Sequence, residues 1–298
     1  METWQEEFKQ SIKSHKGLED FFERPFPKTN YPILIPKALA KEIKKSGVSS
    51  PLSKQFLPVA DELDEEGLID PIGDHKQSPL SQIVHRYKNR ILFFPTQVCP
   101  VICRYCFRKN ELSTNDDLFK ANFEKVLNYI EDHPEIEEVI FSGGDPLIVN
   151  DEKIENYLDS FSKISHIKYI RFHTRTPIIL PSRITENFCS MIAKFKKRFK
   201  QIHIVIHANH HTEFTRANSA SIARLRDFGI SLLSQSVLLK GVNNNKEDLL
   251  NLIRKFIELD IRPYYIHHPD KVRGGLHFMI SLEEGRNLYA TLRDKLPG

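Results

Sequence analysis

Six short apolar segments set the rhythm of this sequence, at residues 91–94, 139–141, 167–172, 202–206, 232–238 and 264–266. After a longer first gap they begin roughly 30 residues apart, the length of one strand-helix-strand unit. Amphipathic helix patterns fill the intervals. Phe119, Phe123, Val126, Leu127 and Ile130 follow the first segment, and Phe188, Met191, Ile192 and Phe195 follow the third, each a stripe that buries one helix face. Gly229 can cap the helix carrying Ile222, Leu225 and Phe228, and Ser281-Leu282-Glu283-Glu284 has capping-box form before the last helix. Such alternation builds an α/β fold with a parallel sheet and helices outside. Six units suit a partial (β/α)6 barrel better than a closed eight-stranded one.

The first 80 residues lack this rhythm and read as a helical, loop-rich extension. Trp4, Phe8 and Ile12 recur at helical spacing, and Pro36 opens a segment that Gly47 can close. Residues 61–79 turn polar and Pro-containing, as in a linker or a surface wrap. Two spans follow: an extension, 1–80, and the barrel, 81–298. Hydrophobic residues make up 40% and charged residues 28% of the chain, with a net charge of +4, which is ordinary for a globular protein. The basic run Lys194-Phe195-Lys196-Lys197-Arg198 reads as a solvated helix face, so no nucleic-acid partner is expected. The N-terminus has no apolar signal-peptide core and no apolar run could span a bilayer, which leads to an expectation of a cytoplasmic protein without a membrane partner.

In parallel β/α folds the chemistry sits where strands end and loops lead into helices. The first segment here ends in Cys99-Pro100-Val101-Ile102-Cys103-Arg104-Tyr105-Cys106, and the second in Ser142-Gly143-Gly144-Asp145-Pro146. The third ends in His173-Thr174-Arg175, the fourth in His207-Ala208-Asn209-His210, and the sixth in His267-His268-Pro269-Asp270; the fifth contains Ser234-Gln235-Ser236. Clustered thiolates suit zinc or an iron-sulfur cluster. A structural zinc wants four ligands, and the remaining cysteine, Cys189, falls in a helical pattern far along the chain. Three ligands leave one metal position open. Structural zinc or buried core cysteines remain the plainer alternatives. The two glycines mark a place where a ligand approaches backbone closely, so a Gly144→Val change is expected to block that ligand while leaving the metal cluster intact.

The C-x3-C-x2-C spacing, with an aromatic before the last cysteine, resembles the signature of radical S-adenosylmethionine (SAM) enzymes. That resemblance implies a [4Fe-4S] cluster on Cys99, Cys103 and Cys106. It also implies a SAM site made by Ser142, Gly143, Gly144 and Asp145, with Tyr105 against the adenine and His207, Asn209 and Gln235 facing the nucleoside. Residues 85–90 (HRYKNR), 103–108 (CRYCFR), 141–147 (FSGGDPL), Arg175-Thr176-Pro177, Pro263-Tyr264-Tyr265-Ile266 and Asp270 together resemble the lysine 2,3-aminomutase family. The likeness is greatest to the branch that makes (R)-β-lysine for elongation factor P. Those enzymes use the cluster, SAM and pyridoxal phosphate (PLP) to move an α-amino group to the neighbouring carbon. The resemblance implies that Arg86 and Arg90 lie in the PLP pocket, that Arg108 pairs with the substrate α-carboxylate, and that Asp270 takes the side-chain ammonium. It further implies an amino acid substrate and an electron donor such as flavodoxin or ferredoxin, and it leaves a homo-oligomer open. No residue here matches the family's C-terminal lysine that carries PLP, so the barrel span is expected to lack that segment and no catalytic residue is assigned. The alternatives are a PLP-independent radical SAM enzyme acting on another substrate, and a non-catalytic iron-sulfur or zinc protein.

Overall fold

Each apolar segment becomes a strand, rich in the β-branched and aromatic residues that a pleated, half-buried surface favours. In the computed structural model, which describes residues 3–112 and 116–296, these are β2 (Arg90–Phe93), β3 (Glu138–Phe141), β4 (Tyr169–Thr174), β5 (Gln201–His207), β6 (Ser231–Val237) and β7 (Arg262–His267), preceded by β1 (Ile83–Tyr87). The sheet order is sequential from β1 to β7, with β2 to β7 parallel. Among the described residues no ladder joins β7 back to β1, so the sheet is open, as a partial barrel requires. Pro297 and Gly298, the last residues of the expected barrel span, lie outside the described residues.

The seventh strand was hidden in the sequence. β1 pairs antiparallel with β2 through a turn at Lys88 and Asn89, with Tyr87 opposite Arg90. Only Ile83 and Val84 of this edge strand are buried. Its other half is charged or exposed, a pattern that protects a sheet edge and also masks the strand.

The helices are α1 (Trp4–Lys9), α2 (His15–Phe22), α3 (Lys37–Ser46), α4 (Pro51–Lys54), α5 (Lys109–Leu112), α6 (Phe123–Glu131), α7 (Asp151–Ser162), α8 (Thr176–Ile179), α9 (Glu186–Phe195), α10 (Arg216–Asp227), α11 (Lys246–Glu258) and α12 (Leu282–Arg293). Pro36 and Gly47 bound α3, Gly229 follows α10 at φ +68°, and the Ser281 hydroxyl accepts from the Glu284 N–H at the start of α12. The stripe from Trp4 to Ile12 does not make one helix. α1 ends at Lys9, and Ile12 instead exchanges backbone hydrogen bonds with Ile35. Among the described residues no helix is long and apolar enough to cross a membrane.

Strand register sorts the side chains by face. Phe93, Phe141, Phe172, Ile204 and Leu232 stand opposite one another across five strands, and they pack under the helices in the main core. Phe141 stacks on Phe172 at 4.4 Å and meets Phe93 edge-on at 5.3 Å. Alternate residues therefore point to the other face. There Leu92, Ile140, Arg171, His173, His207 and Gln235 line a cavity of about 440 Å³.

The stretch at 61–79 is not the solvated linker its composition suggests. Glu62 and Asp74 are only 2% and 1% exposed. They pair with Arg104 and Arg108, charges that could not be buried alone.

Candidate active site

Cys99, Cys103 and Cys106 all line the cavity, at the carboxyl end of the sheet. Their loop is held from outside by the N-terminal extension: the Ile102 and Arg104 N–H groups donate to Leu34 and Gln55 carbonyls at 3.0 and 2.9 Å. The buried Arg104 guanidinium binds the Glu62 carboxylate, Thr29 Oγ1 at 2.8 Å and the Pro32 carbonyl at 3.1 Å. Cys189 is fully buried in α9, within the hydrophobic core.

Burial pushes the Cys99 thiol well above its usual range and Cys106 up to about 11, and the neighbouring thiols push further in the same direction. Cys99 and Cys106 become thiolates together only with a cationic centre beside them. Arg175 Nη1 already donates to Cys103 Sγ at 3.2 Å. A soft, positively charged cluster with one open metal position fits this donor set.

The glycine turn has a different reason for being glycine than the sequence suggested. Gly144 and Asp145 N–H groups donate to the Thr96 and Val98 carbonyls, each at 2.9 Å. A Cβ on Gly144 would lie 2.4 Å from the Val98 oxygen, and one on Gly143, at φ +97°, 2.8 Å from the Thr96 oxygen. The close approach is therefore by the strand end that leads into Cys99. Gly144→Val would displace the cysteine loop itself, contrary to the expectation of an intact cluster.

Asp145 is buried, and burial raises its carboxyl pKa against the pull of its donors. It accepts from Thr174 Oγ1 at 2.6 Å and from the Leu147, Arg175 and Thr176 N–H groups. Three of these four donors, from Thr174, Arg175 and Thr176, tie the turn after β3 to the end of β4. Ser142 lines the cavity, and its hydroxyl accepts from Arg108 Nη1 at 3.3 Å.

Tyr105, His207, Gln235 and His173 form a chain along the cavity wall. The Tyr105 hydroxyl lies 3.0 Å from His207 Nε2, Gln235 Nε2 lies 3.4 Å from His207 Nδ1, and Gln235 Oε1 lies 2.8 Å from His173 Nδ1. Burial and nearby arginines hold His173 down at about 3 and His207 well below the usual range. Both imidazoles are neutral. His173 Nε2 is buried without a hydrogen-bond partner among the described residues. Asn209, expected at the nucleoside, is fully buried and does not line the cavity. It accepts from the Val237 N–H at 2.8 Å and reaches His207 Nε2 at 3.2 Å, so it positions the wall from behind.

Arg86, Arg90, Arg108 and Asp270 line the same cavity. Arg108 lies between the Phe94 and Phe107 rings, 4.7 and 4.5 Å from their centroids. Its Nε and Nη2 donate to Asp74 Oδ2 at 3.0 and 2.7 Å. That edge of the fork is occupied and Nη1 gives one N–H to Ser142, which leaves the second Nη1 N–H for a ligand. Arg86 reaches Asp74 Oδ1 at 3.4 Å and the Ile72 carbonyl, and Arg90 stacks over Tyr87 at 4.0 Å. Sequence reasoning missed Asp74, and also the clamp of Gln55 and Glu213 around Arg175. Glu213 and Arg175 follow strand ends, so the carboxyl-end rule could have found them; Asp74 gave no signal.

The comparisons with known proteins agree with this architecture. Residues 93–253 match the radical SAM superfamily. The solved structure of native anSMEcpe with bound AdoMet aligns with a TM-score of 0.51 at 13% identity, over 68% of this chain and 59% of that one. The fold is that of a radical SAM α/β enzyme. The chain is 36% identical to the L-lysine 2,3-aminomutase of Escherichia coli (strain K12), over 90% of this chain and 78% of that protein. It is 36% identical to the L-lysine 2,3-aminomutase of Haemophilus influenzae, over 96% and 85%, and 32% identical to the glutamate 2,3-aminomutase of Clostridioides difficile, over 86% and 60%. The chain belongs to the lysine 2,3-aminomutase family of radical SAM enzymes. It is accordingly an isomerase, and a [4Fe-4S] cluster and SAM are cofactors of its family.

Proposed function

We propose that this protein moves the α-amino group of L-lysine to the β-carbon, and that Asp270 selects the substrate. The supporting observation is the state of that carboxylate. Asp270 is half-buried in the cavity, and among the described residues its side chain has no hydrogen bond or ion pair. Burial raises its pKa, against the fields of His268, Arg108 and Arg86. A desolvated, unpartnered carboxylate is costly until a cation reaches it. A lysine ammonium meets that need, whereas a glutamate side chain would bring a like charge.

The other residues take the roles that their chemistry suits. Cys99, Cys103 and Cys106 would hold the cluster, leaving one iron for SAM. Tyr105, His207 and Gln235 offer the nucleoside a wall of neutral polar groups, and Ser142, Gly143 and Gly144 border the cysteine loop where the methionine end of SAM would lie. Arg86 and Arg90 keep N–H groups for the PLP phosphate, and the Nη1 N–H of Arg108 that Ser142 does not take is left for the substrate carboxylate. When bound, the cluster and SAM supply a carbon radical and PLP a carrier for the migrating nitrogen. The buried walls exclude water from this chemistry. Following the branch resemblance, the product serves elongation factor P modification, with a flavodoxin or ferredoxin as reductant.

Substrate choice is tested by Asp270→Asn in the anaerobically reconstituted protein with PLP and SAM. Loss of a charged partner costs about 1.5–3 kcal/mol, so lysine should bind about 10- to 150-fold more weakly. Norleucine, which lacks the ammonium, should bind as before. Equal weakening of both would remove Asp270 from substrate recognition.

A further inference from the structure

A second group of ligand-type side chains lies outside the cavity. His210 and His211 occupy the turn after β5, and Asp248 is in the first turn of α11. None of the three lines the active-site cavity. One ligand atom from each lies within 4.8 Å of the other two. His210 Nε2 is 3.2 Å and His211 Nδ1 4.0 Å from Asp248 Oδ1.

We propose that His210, His211 and Asp248 bind one divalent transition-metal ion of the zinc class, clipping the turn after β5 to the N-terminus of α11. His210 is only 3% exposed, yet its Nε2, like His211 Nδ1, has no hydrogen-bond partner among the described residues. At 3.2 Å His210 and Asp248 stand at ion-pair distance, but the contact lacks hydrogen-bond alignment. Nitrogen and oxygen ligands at about 2.0–2.2 Å around a tetrahedral ion stand about 3.3–3.6 Å apart. The two measured separations bracket that range. The far atoms of two ligands are already fixed: His210 Nδ1 lies 2.7 Å from Thr212 Oγ1, and Asp248 Oδ2 accepts from Asn245 Nδ2 at 2.5 Å. Thr212 meets His210 Nδ1 twice, with its hydroxyl and with its backbone N–H, which donates at 3.3 Å; in the tautomer whose Nδ1–H donates to the hydroxyl, Nε2 carries the lone pair, the outer-shell arrangement that orients metal ligands. Two imidazoles and one carboxylate suit zinc, cobalt or nickel rather than calcium or magnesium.

The clip would bear on the active site through one residue. Glu213 accepts from the Asn209 and His210 N–H groups at 2.7 and 2.9 Å and binds Arg175, the donor to Cys103. The turn that holds the ion on one side thus holds that guanidinium on the other.

The test titrates Co2+ into cluster-loaded protein, stripped of other divalent ions and kept anaerobic, with His211→Ala and Asp248→Asn alongside. Both changes fall on partly exposed residues, and iron and sulfide content monitor the cluster and the fold. The expected result is one equivalent of Co2+ with ligand-field absorption in the parent and binding at least about tenfold weaker in each variant, at unchanged iron. Co2+ should raise the melting temperature of the parent alone. The inference is overturned if the parent binds no Co2+, or if both variants bind as the parent does, since His210 and Asp248 would then form an ordinary ion pair.

Discussion

Asp74 accepts the Nε and Nη2 of Arg108 on one oxygen and meets Arg86 with the other, so three charges share one buried contact. Removing one partner of such a group leaves an uncompensated buried charge, at a cost of about 3–5 kcal/mol. Asp74→Ala should lower the urea midpoint accordingly and free Arg108; an unchanged midpoint would mean that Arg108 is solvated. Nothing in the residues around Asp74 announced this role. A polar, Pro-containing stretch has the same composition whether it is solvated or wrapped over arginines, and only tertiary contact distinguishes the two. Glu111 adds a pH dependence. Burial lifts its pKa from 4.5 to about 7, so between those values the folded state binds more protons than the unfolded state. Stability contributed by the protonated carboxyl is full at the acid end and is lost as pH rises through about 7. Glu111→Gln should therefore melt progressively higher than the parent as pH rises across that window. A constant difference would contradict the assignment.

At the level of elements, the parallel strands and the long helices were legible because their apolar periods differ. β1 was not, since an edge strand with a charged half carries no clean alternation. The cysteine loop was recognisable from its spacing, but the device that holds it was not. Gly144 forms that device by bonding Thr96 and lying close against Val98, two non-neighbouring segments brought together by the pairing of β2 with β3. Gly144→Val should therefore reduce reconstituted iron toward the level of Cys103→Ala, while Cys189→Ala, altered only in the core, keeps the parent content. Full iron in Gly144→Val would show that the loop shifts without losing its ligands.

The whole molecule can be read as one division of labour. The helix-facing side of the sheet is an apolar row from Phe93 to Leu232, and the opposite face carries arginines, histidines and thiols that only mutual pairing makes tolerable inside. Sequence spacing was enough to place most site residues on one rim. It could not say which arginines are already committed: Arg108 to Asp74, Arg171 to Glu138, and Arg175 to Glu213. Of the carboxylates that line the cavity, Asp74 and Asp145 are also committed, which leaves Asp270 without a side-chain partner among the described residues. The central claim is that this arrangement serves amino migration on lysine. Its most direct measurement follows L-lysine labelled at the α-nitrogen, incubated anaerobically with reconstituted protein, SAM, PLP and a strong reductant. The account predicts β-lysine with the label on the β-carbon. Cleavage of SAM with the lysine unchanged would contradict it.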